Sequence, residues 1–188
     1  MQHSIVKIIY LAIVSLLINW VHSEELGGKD QENMSPEVVM AKYMDEYLLA
    51  MNKLDIKNIQ KSSIEILPNA EQIGIIFPKL KDEDRKALIP TEAMKNEMTK
   101  NSEALAKGIG RMIESIGRAE RYEIIDLRKT GPDDNDRLVL GSVSVDITPY
   151  KIVIIHQKER VTSSYYFIVK NRILRVPGNR LIQILNNG

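Results

Sequence analysis

A mixed α+β fold, with helices first and a curved antiparallel sheet after them, is what this sequence predicts. Two observations carry the prediction. From residue 35 to residue 117 apolar side chains recur every three or four positions, the period of an amphipathic helix; beyond Gly117 they alternate, the period of a strand. The helical signals also cluster in one half of the chain instead of alternating with strands. That order is the α+β pattern of N-terminal helices packed on one face of a curved antiparallel sheet.

Each element has its own warrant. Ser35-Pro36-Glu37 supplies a hydroxyl cap, a proline at the first helical position and an acid at the positive dipole end. Val39, Tyr43, Tyr47 and Met51, flanked by Met40, Met44 and Leu48, then make one apolar stripe to about Asn52. Asp55 caps a short helix carrying Ile56, Ile59 and Ile64, which Pro68 stops. Asn69 followed by Gln72 has the form of a capping box opening a helix over 70–76, and Phe77-Pro78 ends it. A further short helix spans 82–88. Thr91 opens the longest helix, whose apolar face runs from Met94 through Met98, Leu105, Ile109, Met112 and Ile113 to Ile116. Gly108 and Gly110 inside it imply a close backbone neighbour or a break near Lys107.

Five strands follow, over 122–128, 138–147 (with Gly141 as a bulge), 152–157, 164–170 and 173–176. The turns fall at 131–136, Pro149, Glu159-Arg160 and Asn171. Residues 181–185 suit either a last strand or a tail helix.

The first 23 residues read as an export signal. Lys7 precedes an apolar run from Ile8 to Val21, and Val21-His22-Ser23 offers small residues at the cleavage positions. The run is shorter than the roughly 20 residues a membrane-spanning helix needs. Cleavage leaves a polar lead-in over 24–34 and a single α+β domain over 35–188, exported to the periplasm or secreted. No cysteine follows the apolar run, so a lipoprotein anchor is excluded.

Composition excludes more than it assigns. The chain has no Cys, and beyond residue 23 it has no Trp and one His, His156. Disulfides, thiolate nucleophiles and Cys-ligated metals are therefore impossible. The 26 basic residues fall to 25 without Lys7, against 25 acidic ones. No segment shows the basic excess of a nucleic-acid binder, and neutrality weakens the case for electrostatic attachment to anionic membrane.

The arrangement resembles the nuclear-transport-factor-2-like (cystatin-like) superfamily of cone-shaped α+β domains. The resemblance rests on Glu46-Tyr47-Leu48-Leu49-Ala50-Met51-Asn52-Lys53-Leu54-Asp55, on Leu67-Pro68-Asn69-Ala70-Glu71 with Phe77-Pro78, and on Tyr166-Phe167-Ile168-Val169-Lys170-Asn171-Arg172 followed by Val176-Pro177-Gly178. Exported bacterial members share such segments, although Ile173 stands where an aromatic residue often follows the arginine. The resemblance implies a pocket between sheet and helices, used variously for catalysis, ligand binding or dimerisation. Catalytic members place an Asp–His pair in the cone, and one histidine leaves no second for proton relay.

Candidate chemistry is thin. His156 lies on the strand face of Ile152 and Ile154, and as a general base it would need Asp126 or Asp146 to orient it. Tyr122, Asp126, Asp146, His156 and Tyr166 are the candidate pocket residues, although period-2 alternation also allows each to face solvent. Asp133-Asp134-Asn135-Asp136 lacks the glycine and closing glutamate of a calcium loop and reads as a solvated turn. The methionines at helical spacing read as core. Gly108-Ile109-Gly110 follows no strand, and the common nucleophile and phosphate-loop motifs are missing.

The expectation is thus an exported binding or interaction module for a small molecule or protein partner, with no cofactor, metal, nucleic acid or membrane contact after cleavage. The alternatives are a periplasmic enzyme using His156 with Asp126 or Asp146, and a structural homodimer formed through the apolar sheet.

Overall fold

The structure, a computed structural model, describes residues 34–187 except Ser163, and only the backbone of Ser62 and Ser63. The export signal expected over 1–23 and all but the last residue of the lead-in lie outside the described residues. Among the described residues no helix is long and apolar enough to cross a membrane.

Helices α1 (Pro36–Lys53), α2 (Ile56–Glu65), α3 (Ala70–Ile76), α4 (Asp82–Leu88), α5 (Glu92–Lys100) and α6 (Ser102–Ile116) come first. Strand β1 (Ala119–Asp126), helix α7 (Asp134–Ser142), strands β2 (Pro149–His156), β3 (Arg160–Val161), β4 (Ser164–Val169) and β5 (Arg172–Pro177), and helix α8 (Gly178–Asn187) follow. The strands form one antiparallel sheet in the order β1-β2-β4-β5, with β3 beside β2. The α+β class is therefore observed.

The caps act where the residue types place them. The Ser35 side chain accepts from Val38 N, Thr91 from Met94 N, and Asn69 and Gln72 close a reciprocal capping box. Leu54 ends α1 in the left-handed conformation (φ 56°), and Asp55 then accepts from Asn58 N at 3.1 Å to start α2.

Two expectations need correction. The long helix breaks at Asn101, not near Lys107. Thr99 Oγ1 bonds back to Asn96 O at 2.8 Å, a contact that bends helices. The amide of Gln60 reaches Met98 O at 3.1 Å and Ser102 Oγ at 3.0 Å, so α2 satisfies groups that the break releases. Gly110, moreover, has open space where a Cβ would stand, so it marks no close approach.

The second correction concerns 138–147, which is not a strand: α7 and a turn occupy it. Asp133 accepts from Asp136 N at 2.8 Å and caps the helix, and Asp136, Val139 and Val143 are buried at helical spacing. The cap outweighs the β-preference of Val139 and its neighbours. Asp133–Asp136 is accordingly a helix start with a buried carboxylate, not a solvated turn.

Helices cover both faces of the sheet, where one covered face was expected, because α3, α4, α7 and α8 form a second layer opposite α1, α2 and α6. On the first face Tyr150, Ile152, Ile154, Tyr166 and Ile173 pack under α1, α2 and α6 with Met40, Met44, Met51, Ile59 and Met112. On the second, Tyr165, Phe167, Leu174 and Val176 pack against α3, α4, α7 and α8 through Ile73, Ile76, Leu88, Val139 and Leu181. A dimer made by stacking two sheets face to face, as expected for a structural role, would have to displace one of these layers.

Two local devices set which residue faces which layer. Ile154 pairs with Val161 but Lys151 pairs with Tyr165, so one extra residue lies between β3 and β4. This bulge shifts the alternation and turns Tyr166, not Tyr165, toward α1. The two-residue loop Lys170-Asn171 has φ of 51° and 61°, the positive angles of a type I′ hairpin turn, and joins Val169 to Arg172.

Candidate functional site

The site-bearing layer lies between α1 and the first sheet face. Register places Tyr122 opposite Ile154, Asp126 opposite Tyr150, and Tyr166 opposite both Tyr150 and Arg175. Directly opposed residues share a face. Tyr122, Asp126, His156 and Tyr166 therefore all lie on the side of the N-terminal helices. Asp146 does not join them: it is exposed in the turn between α7 and β2.

Polar side chains bolt α1 to β1 at three levels. Lys129 bridges Asp126 (3.1 Å) and Glu37 (3.2 Å); Tyr122 Oη donates to Asp45 (2.8 Å) and lies 3.0 Å from Ala41 O; and Asn52 exchanges two bonds with the Ala119 backbone, at 2.8 and 3.2 Å. The spans agree. Fifteen residues of helix from Glu37 to Asn52 cover about 22 Å, and seven of strand from Asp126 to Ala119 cover about 24 Å. Burial and the neighbouring Asp45 carboxylate push the Tyr122 hydroxyl up to about 12. Tyr122 and Asp126 thus hold the helix on the sheet.

His156 is 4% exposed, and Nδ1 lies 2.9 Å from Gly117 O. A carbonyl can only accept, so Nδ1 carries the proton and, in the neutral ring, Nε2 the lone pair. Burial lowers its pKa, with the Gly117 bond and the Glu159 charge opposing. Asp126 pairs with Tyr150 whereas His156 lies opposite Ala119. Six residues of strand separate Tyr150 from His156, about 20 Å at 3.4 Å each. Asp146 precedes β2 altogether, still farther from His156 along the chain. The expected His156–Asp126 and His156–Asp146 pairs do not form.

Tyr166 is buried, its ring 6.4 Å from that of Tyr43, which stacks on Tyr47 at the same spacing. Burial raises its hydroxyl pKa and the positive charge of Arg175 opposes that rise.

Arg175 was not foreseen. It is 2% exposed; Nε donates to Ser164 Oγ at 2.7 Å, and Nη2 is closed off without a hydrogen-bond partner. None of the ion pairs among the described residues includes it. Guanidinium keeps its charge at any physiological pH, and an uncompensated buried charge costs several kcal/mol. The signal in the sequence was an arginine in register with Ile173 and flanked by Leu174 and Val176.

The second face handles its charge differently. Lys151 Nζ sits 2.8 and 2.9 Å from the two oxygens of buried Asp136, which also accepts from Tyr165 Oη at 3.0 Å. That group is satisfied internally. Among the described residues no cluster of three or more His, Asp or Glu side chains could hold a metal ion. The chain matches no family model, no curated protein and no solved structure.

Proposed function

We propose that this protein is an exported, non-catalytic binding module of NTF2-like architecture that holds a small ligand between its N-terminal helices and the first sheet face. The observation that carries this reading is the buried Arg175 guanidinium, a charged group with no ion-pair partner among the described residues, on the sheet face whose core is rich in Tyr, Met and Ile. Functional pockets combine such apolar linings with a few placed polar groups. The other polar groups of the layer support binding over chemistry: His156 is committed to a backbone carbonyl, and Tyr122 and Asp126 to α1. The sequence supports export through the residues before position 24.

Native mass spectrometry of the protein recovered from its own cells tests the proposal. A small-molecule adduct that survives gentle ionisation and is released on unfolding is expected. A bare chain in repeated preparations would overturn it.

A further inference from the structure

Building on that reading, we infer that the ligand is an apolar monocarboxylate whose headgroup pairs with the Arg175 guanidinium beneath α1 and α2. Ser164 Oγ holds Nε at 2.7 Å, which fixes the plane of the guanidinium and leaves Nη2 without an acceptor. A planar fork of N–H donors matches a carboxylate, and such charge-assisted bonds strengthen away from water. Tyr166 lies opposite it in register, and the core of the same sheet face supplies further aromatic rings and flexible thioethers: Tyr43, Tyr47, Met44 and Met51. Methionine adapts to irregular apolar shapes, which suits an alkyl or aryl body. One buried cation in an apolar layer matches one negative charge on a mostly apolar molecule. A phosphate ester would bring roughly two.

An internal alternative exists. Among the described residues Glu65 Oε2 is the other buried side-chain atom without a hydrogen-bond partner, and the bond from Arg175 N to Ile66 O (3.0 Å) brings the end of α2 beside β5. If Glu65 were the counter-ion in solution, Arg175 would be a structural residue. The two cases separate by experiment.

Octanoate and its uncharged counterpart 1-octanol are titrated into the full chain, following melting temperature and heat of binding. Octanoate should bind and raise the melting temperature, with 1-octanol at least about tenfold weaker. Arg175→Met should lose octanoate affinity by roughly 10- to 100-fold, whereas Glu65→Gln should keep it. Should Arg175→Met fail to fold, Ser164→Ala frees the guanidinium and is expected to weaken octanoate several-fold. Equal binding of octanoate and octanol, or unchanged affinity in Arg175→Met or in Ser164→Ala, would overturn the inference. So would Glu65→Gln and Arg175→Met destabilising alike without any octanoate binding. A different adduct in the native mass spectrum would then leave the binding module standing and remove only the carboxylate. A bare chain with no octanoate response removes both.

Discussion

Replacing Lys151 with methionine offers the sharpest test of how the second sheet face is held. Methionine keeps most of the apolar stem and removes the charge. Asp136, 6% exposed, would lose both contacts to Nζ, at 2.8 and 2.9 Å, and keep only the 3.0 Å bond from Tyr165. Breaking a buried pair from one side costs about 3–5 kcal/mol. The Lys151 side chain is 19% exposed and the Tyr165 bond survives, so the lower end, about 3 kcal/mol, is expected. At roughly 2–4 °C per kcal/mol for a chain of this size, the melting temperature should fall by about 6–12 °C. Urea unfolding followed by circular dichroism measures the loss. Combining Lys151→Met with Asp136→Asn removes the stranded charge while leaving Tyr165 an acceptor, so the double variant should be more stable than Lys151→Met alone. A single-variant loss below about 1 kcal/mol would refute the reasoning and class the pair with exposed ones.

Further outcomes follow from other positions. Burial lowers the folded-state pKa of His156 below its ordinary 6.5, so folding favours the neutral ring, and stability present above that pH is lost as pH falls toward the folded value. The advantage of the parent over His156→Gln, which does not titrate, should shrink between about pH 8 and about pH 5; an advantage that grows on acidification would contradict the assignment. Gly117→Ala should cost about 1–3 kcal/mol, since φ there is 84° and a Cβ would stand 2.6 Å from the Cβ of Gln157. Gly110→Ala should instead stabilise by about 0.5–1 kcal/mol, because it lies inside α6 with open space at the Cβ position. Chemical denaturation of the pair checks both signs.

The helices were legible because their ends carry local chemistry. Ser35, Asn69 with Gln72, and Thr91 each cap the helix they announce, and the observed starts fall where those residues place them. Asn101 was not legible: the break there relies on Gln60, some forty residues away, which no local pattern encodes. The segment 138–147 misled because Leu138-Val139-Leu140 suits a strand while the decisive residue, Asp133, lies five positions earlier. Among the candidate pocket residues, alternation grouped His156 with Ile152 and Ile154 correctly. It could not show that Asp126 sits at the opposite end of β2, because pairing register is a property of two strands. Arg175 escaped for a related reason. An arginine in an edge strand ordinarily faces solvent, and only the fold, which sets it on the first sheet face beside the end of α2, makes its burial visible.

The loop at Lys170-Asn171 has a consequence for how this protein tolerates change. With both angles positive and two residues in the loop, the hairpin has a fixed phase: Tyr166 meets Arg175, and Phe167 meets Leu174. One residue inserted there would rotate β5 by half a period relative to β4. The guanidinium would exchange places with an aliphatic neighbour and enter the second core, where Lys151 already supplies the positive charge. Natural variation in loop length should therefore be far narrower here than at the exposed Val145-Asp146 tip of the α7–β2 turn. The hairpin is the part of this chain in which an insertion, harmless in volume, would be lethal in parity.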